Sequence, residues 1–265
     1  MRLRELLRSS GGAVIAFSGG VDSTFLLKVA REELGERALA VTATSETYPS
    51  RELKEAKELA RAIGARHLVI ESEELEIPGF RENPPERCYF CKGELFSKLK
   101  EIAQREGLPA VFDGTNFDDL SDHRPGRAAA EELGVRSPLQ EVGLAKEEIR
   151  ALSRRLGLPT WDKPAFACLS SRFPYGSAIT REKLRAIDEA EEYLRALGFG
   201  QLRVRHHGDI ARVELTPEEM ERVFREGLTP RVTEKLKSLG FTYVTLDLEG
   251  YRTGSMNEPL KGERA

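Results

Sequence analysis

Apolar runs alternate with segments of helical periodicity along the first part of the chain. Largely apolar runs of this kind are typical of parallel strands that are covered on both faces. They occupy residues 13–17, 38–43, 67–71 and 110–113. Between them, apolar positions recur at helical spacing over 22–34 and 51–63, and a glycine follows each of these segments. This order predicts an α/β fold, a doubly wound parallel sheet with helical crossovers.

Residues 72–87 interrupt the pattern. They contain three prolines and a glycine, which neither a helix interior nor a central strand accommodates, so we predict a long loop. Loops of this length are usually functional or mobile. The loop leads to Cys88-Tyr89-Phe90-Cys91, and the apolar spacing predicts another helix after this segment.

The order of elements changes beyond Thr180. A charged helix is predicted over 181–197, and two strands in succession, two helices and a last strand follow it. Successive strands without an intervening helix are typical of an antiparallel or mixed sheet. We therefore expect two domains, residues 1–170 with the parallel sheet and residues 171–265 as a smaller α+β domain.

The composition limits the classes of partner. The 265 residues include 41 Lys and Arg against 44 Asp and Glu, a formal net charge of −3, which provides no field for attracting nucleic acid. No apolar run approaches the roughly 18 residues of a membrane-spanning helix, and the charged opening segment does not resemble a signal peptide. Three cysteines are too few, and odd in number, for a secreted disulfide framework. We expect a cytoplasmic protein without a nucleic-acid or membrane partner.

The clearest chemical signal is Ser18-Gly19-Gly20-Val21-Asp22-Ser23, which lies between the first strand and its helix. This is the position at which α/β folds bind phosphate. The glycines allow the backbone to approach an anion, and the serine hydroxyls add donors. Asp22 would repel a phosphate unless Mg²⁺ bridges them. No Walker A Gly-Lys-Ser/Thr is present, which disfavours kinase-type phosphoryl transfer; the alternative is an ordinary strand-to-helix turn.

The segment 18–23 resembles the pyrophosphate loop (PP-loop) of ATP pyrophosphatases, whose members adenylate an acceptor oxygen and release pyrophosphate. Three further segments narrow this resemblance. They are Arg87-Cys88-Tyr89-Phe90-Cys91-Lys92; Asp113-Gly114-Thr115-Asn116 with Asp118, Asp119, Asp122 and Arg124-Pro125-Gly126; and Pro164-Ala165-Phe166-Ala167-Cys168-Leu169-Ser170-Ser171-Arg172. Together, their order and spacing are similar to the LarE family over most of residues 10–210.

The resemblance implies a PP-loop fold, ATP with Mg²⁺, and a homo-oligomer, in the family a hexamer. It also implies a small-molecule nucleotide substrate. The LarE family converts a carboxylate of pyridinium-3,5-biscarboxylic acid mononucleotide to a thiocarboxylate, a step in the biosynthesis of the nickel-pincer nucleotide cofactor of lactate racemase.

Cys168 is the candidate catalytic nucleophile. A carboxylate becomes reactive once adenylation makes its oxygen a good leaving group, and a thiolate can then attack the acyl carbon. Arg172 and Lys163 lie close to Cys168 in the sequence and would favour its thiolate. The resemblance implies that Cys168 forms a thioester and that, in family members with one cysteine, it gives up its own sulfur and becomes dehydroalanine.

Cys88 and Cys91 leave the source of sulfur open. With Cys168 they could hold three irons of a [4Fe–4S] cluster, leaving the fourth iron free to carry sulfide. The resemblance implies that family members with three cysteines work in this catalytic manner. A zinc site lacks a fourth protein ligand, because the four histidines show no ligand spacing to the cysteines. A persulfide relay through a transient disulfide and simple packing of the two thiols are the other interpretations.

Two short segments are candidates for binding the nucleotide and its metal ion. Asp119, in the acidic loop after the fourth strand, is expected to contact Mg²⁺ together with Asp22, unless this loop is a solvated surface. Thr44 and Ser45 follow the second strand, where they could meet adenine or ribose, or simply cap the next helix.

Arg203 and Arg205 alternate along a strand of the second domain and therefore share a face. Paired guanidinium groups suit the phosphate of a mononucleotide, although two arginines on a strand also form an ordinary solvated face. The resemblance implies substrate-phosphate contacts on this domain at a subunit interface, and Arg172 is a further candidate for binding substrate. The second domain is accordingly expected to bind substrate and to mediate oligomerisation.

The leading interpretation is an ATP-dependent sulfur transferase that acts on a mononucleotide carboxylate. A tRNA thiolase would adenylate a base oxygen and would need a basic face, which the charge balance does not supply. An amide-forming synthetase would need free ammonia or a partner subunit that supplies it. A nucleotide-sensing module would bind ATP without cleaving it.

Overall fold

The chain forms two compact units. The computed structural model describes residues 2–121, 125–164, 167–252 and 254–258. The first unit consists of Met1–Phe80 and Pro85–Phe166, and the second of Arg81–Pro84 and Ala167–Ala265. Asn83 joins the second unit because its side-chain amide donates to the carbonyl groups of Phe173 and Pro174. The sequence-based boundary after residue 170 does not include this excursion of the proline-rich loop.

The first unit contains a four-stranded parallel sheet in the order β3-β2-β1-β4. Its strands are β1 (Ala13–Ala16), β2 (Ala38–Thr44), β3 (Arg66–Glu71) and β4 (Ala110–Phe112). Its helices are α1 (Arg2–Ser10), α2 (Val21–Leu34), α3 (Ser50–Ile63), α4 (Arg87–Arg105), α5 (Gly126–Glu132), α6 (Pro138–Glu141) and α7 (Lys146–Arg155). The strand order reverses between β1 and β4, so the segment that follows β1 lies at the switch point where open α/β sheets bind ligands.

Helices cover both faces of this sheet. Val14 and Ile15 are neighbours in β1 and are both fully buried, and they belong to different clusters of core side chains. Ile15 packs in the cluster that includes Phe25 of α2, whereas Val14 packs in the one that includes Phe96 of α4. Since successive side chains of a strand point to opposite faces, this division confirms the predicted doubly wound α/β fold.

The second unit is a smaller α+β structure. Its strands are β5 (Arg203–His207), β6 (Ile210–Glu214) and β7 (Tyr243–Leu246), and its helices are α8 (Arg181–Ala196), α9 (Pro217–Arg225) and α10 (Thr229–Ser238). The sheet order is β5-β6-β7, with β5 antiparallel and β7 parallel to β6. The sheet is therefore mixed, one of the two types that the succession of strands predicts.

One local prediction was wrong. Helix α4 begins at Arg87, so Cys88 and Cys91 lie on its first turn and not in the loop before it. The loop itself includes a short 3-10 turn at Glu74–Glu76. Among the described residues, no helix is both long and apolar enough to cross a bilayer.

Candidate active site

The PP-loop begins directly after β1 and its last residues form the first turn of α2. Gly19 has φ +69°, a left-handed conformation that favours glycine, and a Cβ atom there would lie 3.2 Å from that of Ala56 in α3. Gly20 is the N-cap residue of α2, and no side chain caps the helix. The N–H groups of the first turn are therefore available to an anion, and the helix dipole favours negative charge there.

The serine hydroxyls of the loop bind each other. The Oγ atoms of Ser18 and Ser23 are 3.1 Å apart, and the Ser23 hydroxyl also accepts from Ser18 N at 3.3 Å. Gly20 N donates to Ser18 Oγ at 3.4 Å. These bonds close the loop into a compact turn, so the hydroxyls shape the anion site in addition to any donors that they offer.

Asp22 has one paired oxygen and one buried oxygen without a partner. Its Oδ2 lies 2.5 Å from Nζ of Lys146, the first residue of α7. Its Oδ1 is buried and has no hydrogen-bond partner among the described residues. A buried carboxylate oxygen normally has a donor or a cation beside it, so Asp22 fits a residue that contacts Mg²⁺. Mg²⁺ at nucleotide sites needs only one or two carboxylates in addition to phosphate oxygens and water.

The loop after β4 packs against the PP-loop. A Cβ atom on Gly114 would lie 3.1 Å from Ser23 N, so glycine permits this close approach. The buried Asp113 carboxylate accepts from Thr115 N and Oγ1 and from Ser137 Oγ at 2.7–3.1 Å. Asp113 therefore shapes the loop. Asp119 Oδ2 accepts from Asn116 N at 3.0 Å, which closes a turn.

The structure places Asp119 in a local turn and does not test its role as a second Mg²⁺ contact. No group of three or more His, Cys, Asp or Glu side chains within the described ranges could hold a metal ion. Asp122, Arg124, Ala165 and Phe166, which belong to the motifs quoted above, lie outside the described residues.

Thr44 is the last residue of β2, and Ser45 follows it, next to the strand that carries the PP-loop. Ser45 Oγ donates to Glu74 Oε2 at 2.6 Å, and Thr47 Oγ1 donates to the same oxygen. The other oxygen of this buried carboxylate accepts from Cys91 Sγ at 3.2 Å. Glu74 thus connects the loop after β2, where adenosine is expected, to the turn that carries the cysteine pair.

Cys88 and Cys91 are three positions apart on the first turn of α4 and so lie on one face of the helix. Cys88 is exposed, and neither cysteine forms a disulfide bond within the described residues. A Cβ atom on Gly126 would lie 3.2 Å from Cys88 O, so helix α5 packs closely on this turn. Two thiols on one turn fit the donor set of a cluster or a redox pair. The third cysteine, Cys168, belongs to the second unit.

Cys168 precedes a 3-10 turn, Leu169–Arg172, whose geometry depends on a buried arginine. Arg172 Nη1 donates to Ala167 O at 2.8 Å and to Cys168 O at 3.0 Å. The remaining edge of its guanidinium group pairs with both oxygens of Glu191 at 2.9 and 3.0 Å. Burial opposes the charge of Arg172, but Glu191 outweighs this effect and raises the pKa of Arg172.

The sequence predicts that Arg172 binds substrate, whereas in the structure its guanidinium group is bound within the protein. Its guanidinium group is buried and each of its three nitrogens donates to a protein acceptor, so Arg172 positions the Cys168 segment, and its contact with substrate stays a prediction. The partners of Lys163 also differ from those predicted. Its ammonium group is bound to Glu52 and Glu55 of α3, which neutralise the charge that was expected to favour a Cys168 thiolate.

Arg203 and Arg205 share a strand face but differ in their partners. The Arg205 guanidinium group pairs with both oxygens of the fully buried Glu214 at 2.9 Å and donates to Ser171 O at 2.7 Å. This buried ion pair fixes the guanidinium group of Arg205, and its expected contact with a substrate phosphate stays a prediction. Arg203 lies over the Tyr251 ring, 5.2 Å from its centroid. Burial, followed by the charge of Arg172, lowers the pKa of Arg203 to about 10.

Sequence reasoning missed the side chains that complete these sites from a distance. Lys146, Glu74, Glu191 and Glu214 each bind a predicted residue or its immediate neighbour. No local motif marks them, because the contacts form only when separate elements pack together. The one available signal is the charged or polar side chain at a position that the helical or strand pattern buries, as for Glu191 and Glu214.

The sequence similarity to known proteins covers both units of the chain. A family model described as asparagine synthase matches residues 3–82. An uncharacterized protein of Synechocystis sp. is 47% identical over 97% of this chain and 96% of its own length. A pyridinium-3,5-bisthiocarboxylic acid mononucleotide synthase of Lactiplantibacillus plantarum is 44% identical over 97% of this chain and 92% of its own length. An uncharacterized protein of Methanocaldococcus jannaschii is 32% identical over 91% of this chain and 90% of its own length.

Proposed function

Because this chain belongs to the LarE family of ATP-dependent sulfur transferases, we propose that it adenylates a carboxylate of pyridinium-3,5-biscarboxylic acid mononucleotide and converts it to a thiocarboxylate. The relative from L. plantarum is a pyridinium-3,5-bisthiocarboxylic acid mononucleotide synthase, which supports this substrate. The proposed adenylation step rests on the first turn of α2, which lies at the switch point of the sheet and has no side-chain cap among the described residues. The buried Oδ1 of Asp22, for which the described residues offer no partner, lies on the same turn. The product would serve nickel-pincer cofactor biosynthesis.

In the first step the PP-loop holds the β- and γ-phosphates of ATP. A carboxylate oxygen of the substrate attacks the α-phosphorus, the bond to the bridging oxygen breaks, and pyrophosphate leaves on the PP-loop side. Mg²⁺, held by Asp22 and with Asp119 as a second candidate, would neutralise the phosphate charge. The loop amides stabilise the charge that develops on the leaving group. Thr44 and Ser45 are proposed to contact the adenosine.

In the second step the Cys168 thiolate attacks the acyl carbon, a thioester forms, and AMP leaves. Arg172 supports this step by fixing the carbonyl groups of Ala167 and Cys168. In a sacrificial transfer, loss of the Cα proton and cleavage of the Cβ–S bond of Cys168 release the thiocarboxylate and leave dehydroalanine. Arg203 of β5 is the proposed contact for the substrate phosphate, because a planar guanidinium group suits a phosphate.

The cysteine pair supports a catalytic source of sulfur. Cys88 and Cys91 lie on one helical face and, with Cys168, would hold a [4Fe–4S] cluster whose open iron supplies sulfide. A cytoplasmic location is proposed with this chemistry, since cytosolic proteins keep their cysteines reduced. We also propose a homo-oligomer, because Ile210 and Tyr243 pair across β6 and β7 and both are exposed apolar side chains.

Product analysis with purified protein tests the reaction. With ATP, Mg²⁺ and the dicarboxylate mononucleotide, we expect AMP and pyrophosphate in amounts that depend on the substrate. Cleavage to ADP and orthophosphate would overturn the proposal. The protein mass after turnover then identifies the source: loss of one sulfur from Cys168 supports sacrifice, and an unchanged mass in a brown, oxygen-sensitive preparation supports the cluster.

A further inference from the structure

Two carbonyl groups of the PP-loop are held by side chains from other parts of the first unit. The Tyr48 hydroxyl donates to Ser18 O at 2.9 Å, and Lys163 Nζ donates to Gly19 O at 3.3 Å. Tyr48 lies between β2 and α3, and Lys163 follows α7. The two side chains therefore reach consecutive peptide groups of the loop from distant points of the chain. We call this pair, Tyr48 and Lys163, the carbonyl clamp.

Three acceptors fix the ammonium group of Lys163. In addition to Gly19 O, it donates to Glu52 Oε2 at 2.6 Å and to Glu55 Oε2 at 2.7 Å. An ammonium group has three N–H donors, and this arrangement uses all of them. The side chain of Lys163 is 13% exposed and that of Glu52 is 9% exposed, so water screens the pair only weakly. In this arrangement Lys163 acts on the loop backbone and has no donor left for a phosphate.

The direction of a carbonyl group determines the direction of the next amide. The peptide unit is planar and trans, so its C=O and N–H point in opposite directions, and the described chain contains no cis peptide bond. Ser18 O and Gly19 O face the carbonyl clamp, and the N–H groups of Gly19 and Gly20 consequently face away from it, with that of Gly20 forming its long 3.4 Å bond to Ser18 Oγ. Consecutive N–H groups on one side of a loop form the concave nest that binds anions.

We propose that Tyr48 and Lys163 are positioning residues that preorganise the PP-loop for the pyrophosphate portion of ATP. Without them the Ser18–Gly19 and Gly19–Gly20 peptide groups could rotate, and phosphate binding would have to fix them at an entropic cost. Gly19 makes this restraint necessary, since glycine has the largest conformational freedom of any residue. This inference rests on the proposed function, because it assumes that the loop binds a nucleotide triphosphate.

The protonation of Tyr48 agrees with a constant donor role. Burial raises the pKa of Tyr48, and the neighbouring charges of Glu52 and Glu55 raise it further. The phenol therefore keeps its proton and donates to Ser18 O at any pH well below the usual phenol value. The contribution of Tyr48 to nucleotide binding should not vary with pH between about 6 and 9, well below the usual pKa of a phenol near 10.

Calorimetric titration of three ligands tests the carbonyl clamp. We compare pyrophosphate, ATP and AMP, each with Mg²⁺, on the full chain and on the variants Tyr48→Phe and Lys163→Met. Loss of one buried hydrogen bond should weaken pyrophosphate and ATP about tenfold and leave AMP within about twofold. A general structural defect would weaken all three ligands alike. Tyr48→Phe removes only one hydroxyl, so it remains informative if Lys163→Met, which leaves two carboxylates unpaired, unfolds.

The matched control is Lys28→Met, which breaks a lysine–glutamate pair with Glu32 on α2 outside the loop and should bind all three ligands like the wild type. Variants that bind pyrophosphate as tightly as the wild type would overturn the inference alone, and so would equal losses for AMP and pyrophosphate. A wild-type chain that binds neither ATP nor pyrophosphate with Mg²⁺ would overturn the proposed function as well.

Discussion

The Nζ atom of Lys146 lies 2.5 Å from Oδ2 of Asp22, although the two residues are 124 positions apart. Asp22 belongs to the first turn of α2 and Lys146 is the first residue of α7, so the packing of these helices sets the pair. Lys146 therefore pairs with one oxygen of Asp22. The other oxygen is buried and has no partner in the part of the chain that the structure describes. This asymmetry suits a carboxylate that reaches a magnesium-bound phosphate with one oxygen only.

The substitution Asp22→Asn should decrease the rate of pyrophosphate release about a hundredfold, because it removes the charge that attracts Mg²⁺ while keeping the shape of the side chain. It also leaves Lys146 without its carboxylate partner. The rate is measured at saturating ATP over a series of Mg²⁺ concentrations, and the midpoint should move to higher Mg²⁺. Glu226→Gln, which breaks an exposed pair with Arg222 in the second unit, is the control. An unchanged Mg²⁺ midpoint in Asp22→Asn would exclude Asp22 as a metal contact.

The substitutions Cys168→Ala and Cys88→Ala should separate adenylation from sulfur transfer. Cys168→Ala removes the nucleophile, so we expect a single burst of pyrophosphate, one per active site at most, and no thiocarboxylate. Cys88→Ala keeps the nucleophile and removes a candidate cluster ligand, so the burst and the thioester should persist while repeated turnover is lost. Rapid-quench measurement of pyrophosphate and mass spectrometry of the protein test both. Thiocarboxylate formation by Cys168→Ala would show that another group attacks the acyl carbon.

The sheet could be predicted from the sequence because its signals are local. The apolar run at residues 13–17 and the helical spacing of 22–34 are visible in the chain itself, and parallel strands with helical crossovers follow from their alternation. The position of the PP-loop then follows, since a loop after a central strand lies at the carboxyl edge of the sheet. The start of α4 was not predicted, because Pro84 and Pro85 indicate a loop and the first turn of the helix has little apolar periodicity.

The roles of the arginines could not be predicted, because they depend on partners far along the chain. Alternation places Arg203 and Arg205 on one face, but only the antiparallel pairing of β5 with β6 brings Glu214 to Arg205. Arg172 likewise meets Glu191 only after α8 packs beneath the Cys168 segment. Sequence spacing predicted where these charges lie and not which of them are already neutralised.

Breaking the buried ion pair of Arg172 and Glu191 should destabilise the protein strongly. The substitution Glu191→Gln keeps the shape of the side chain but leaves a buried guanidinium group without its counter-charge, which costs about 3–5 kcal/mol. We expect a corresponding decrease in the free energy of unfolding, measured by urea titration. The exposed substitution Glu192→Gln on the same helix should change it by less than about 0.5 kcal/mol. Equal stability of Glu191→Gln and the wild type would contradict the assignment.

The same pair predicts a dependence of stability on pH. Burial alone would raise the pKa of Glu191, but Arg172 outweighs it and lowers the pKa below the ordinary value of 4.5. A carboxyl group with a depressed pKa in the folded state stabilises the protein above its unfolded pKa, and this contribution is lost as the pH falls through the folded value. The difference in unfolding free energy between wild type and Glu191→Gln should therefore be constant above about pH 5 and decrease below pH 4. A difference that grows on acidification would have the wrong sign.

Gly11 and Gly19 provide a matched pair for testing the close contact at the PP-loop. Both have a left-handed backbone, with φ of +68° and +69°, but a Cβ atom on Gly11 would meet nothing within 4 Å, whereas one on Gly19 would lie 3.2 Å from the Cβ atom of Ala56. Each alanine substitution should destabilise the protein by about 1 kcal/mol through backbone strain. Only Gly19→Ala should also weaken ATP binding, because the crowded loop must shift away from α3 and misalign its amides. Calorimetry with ATP and Mg²⁺, alongside urea unfolding, separates the two effects, and equal ATP affinity in both variants would show that the loop tolerates the displacement.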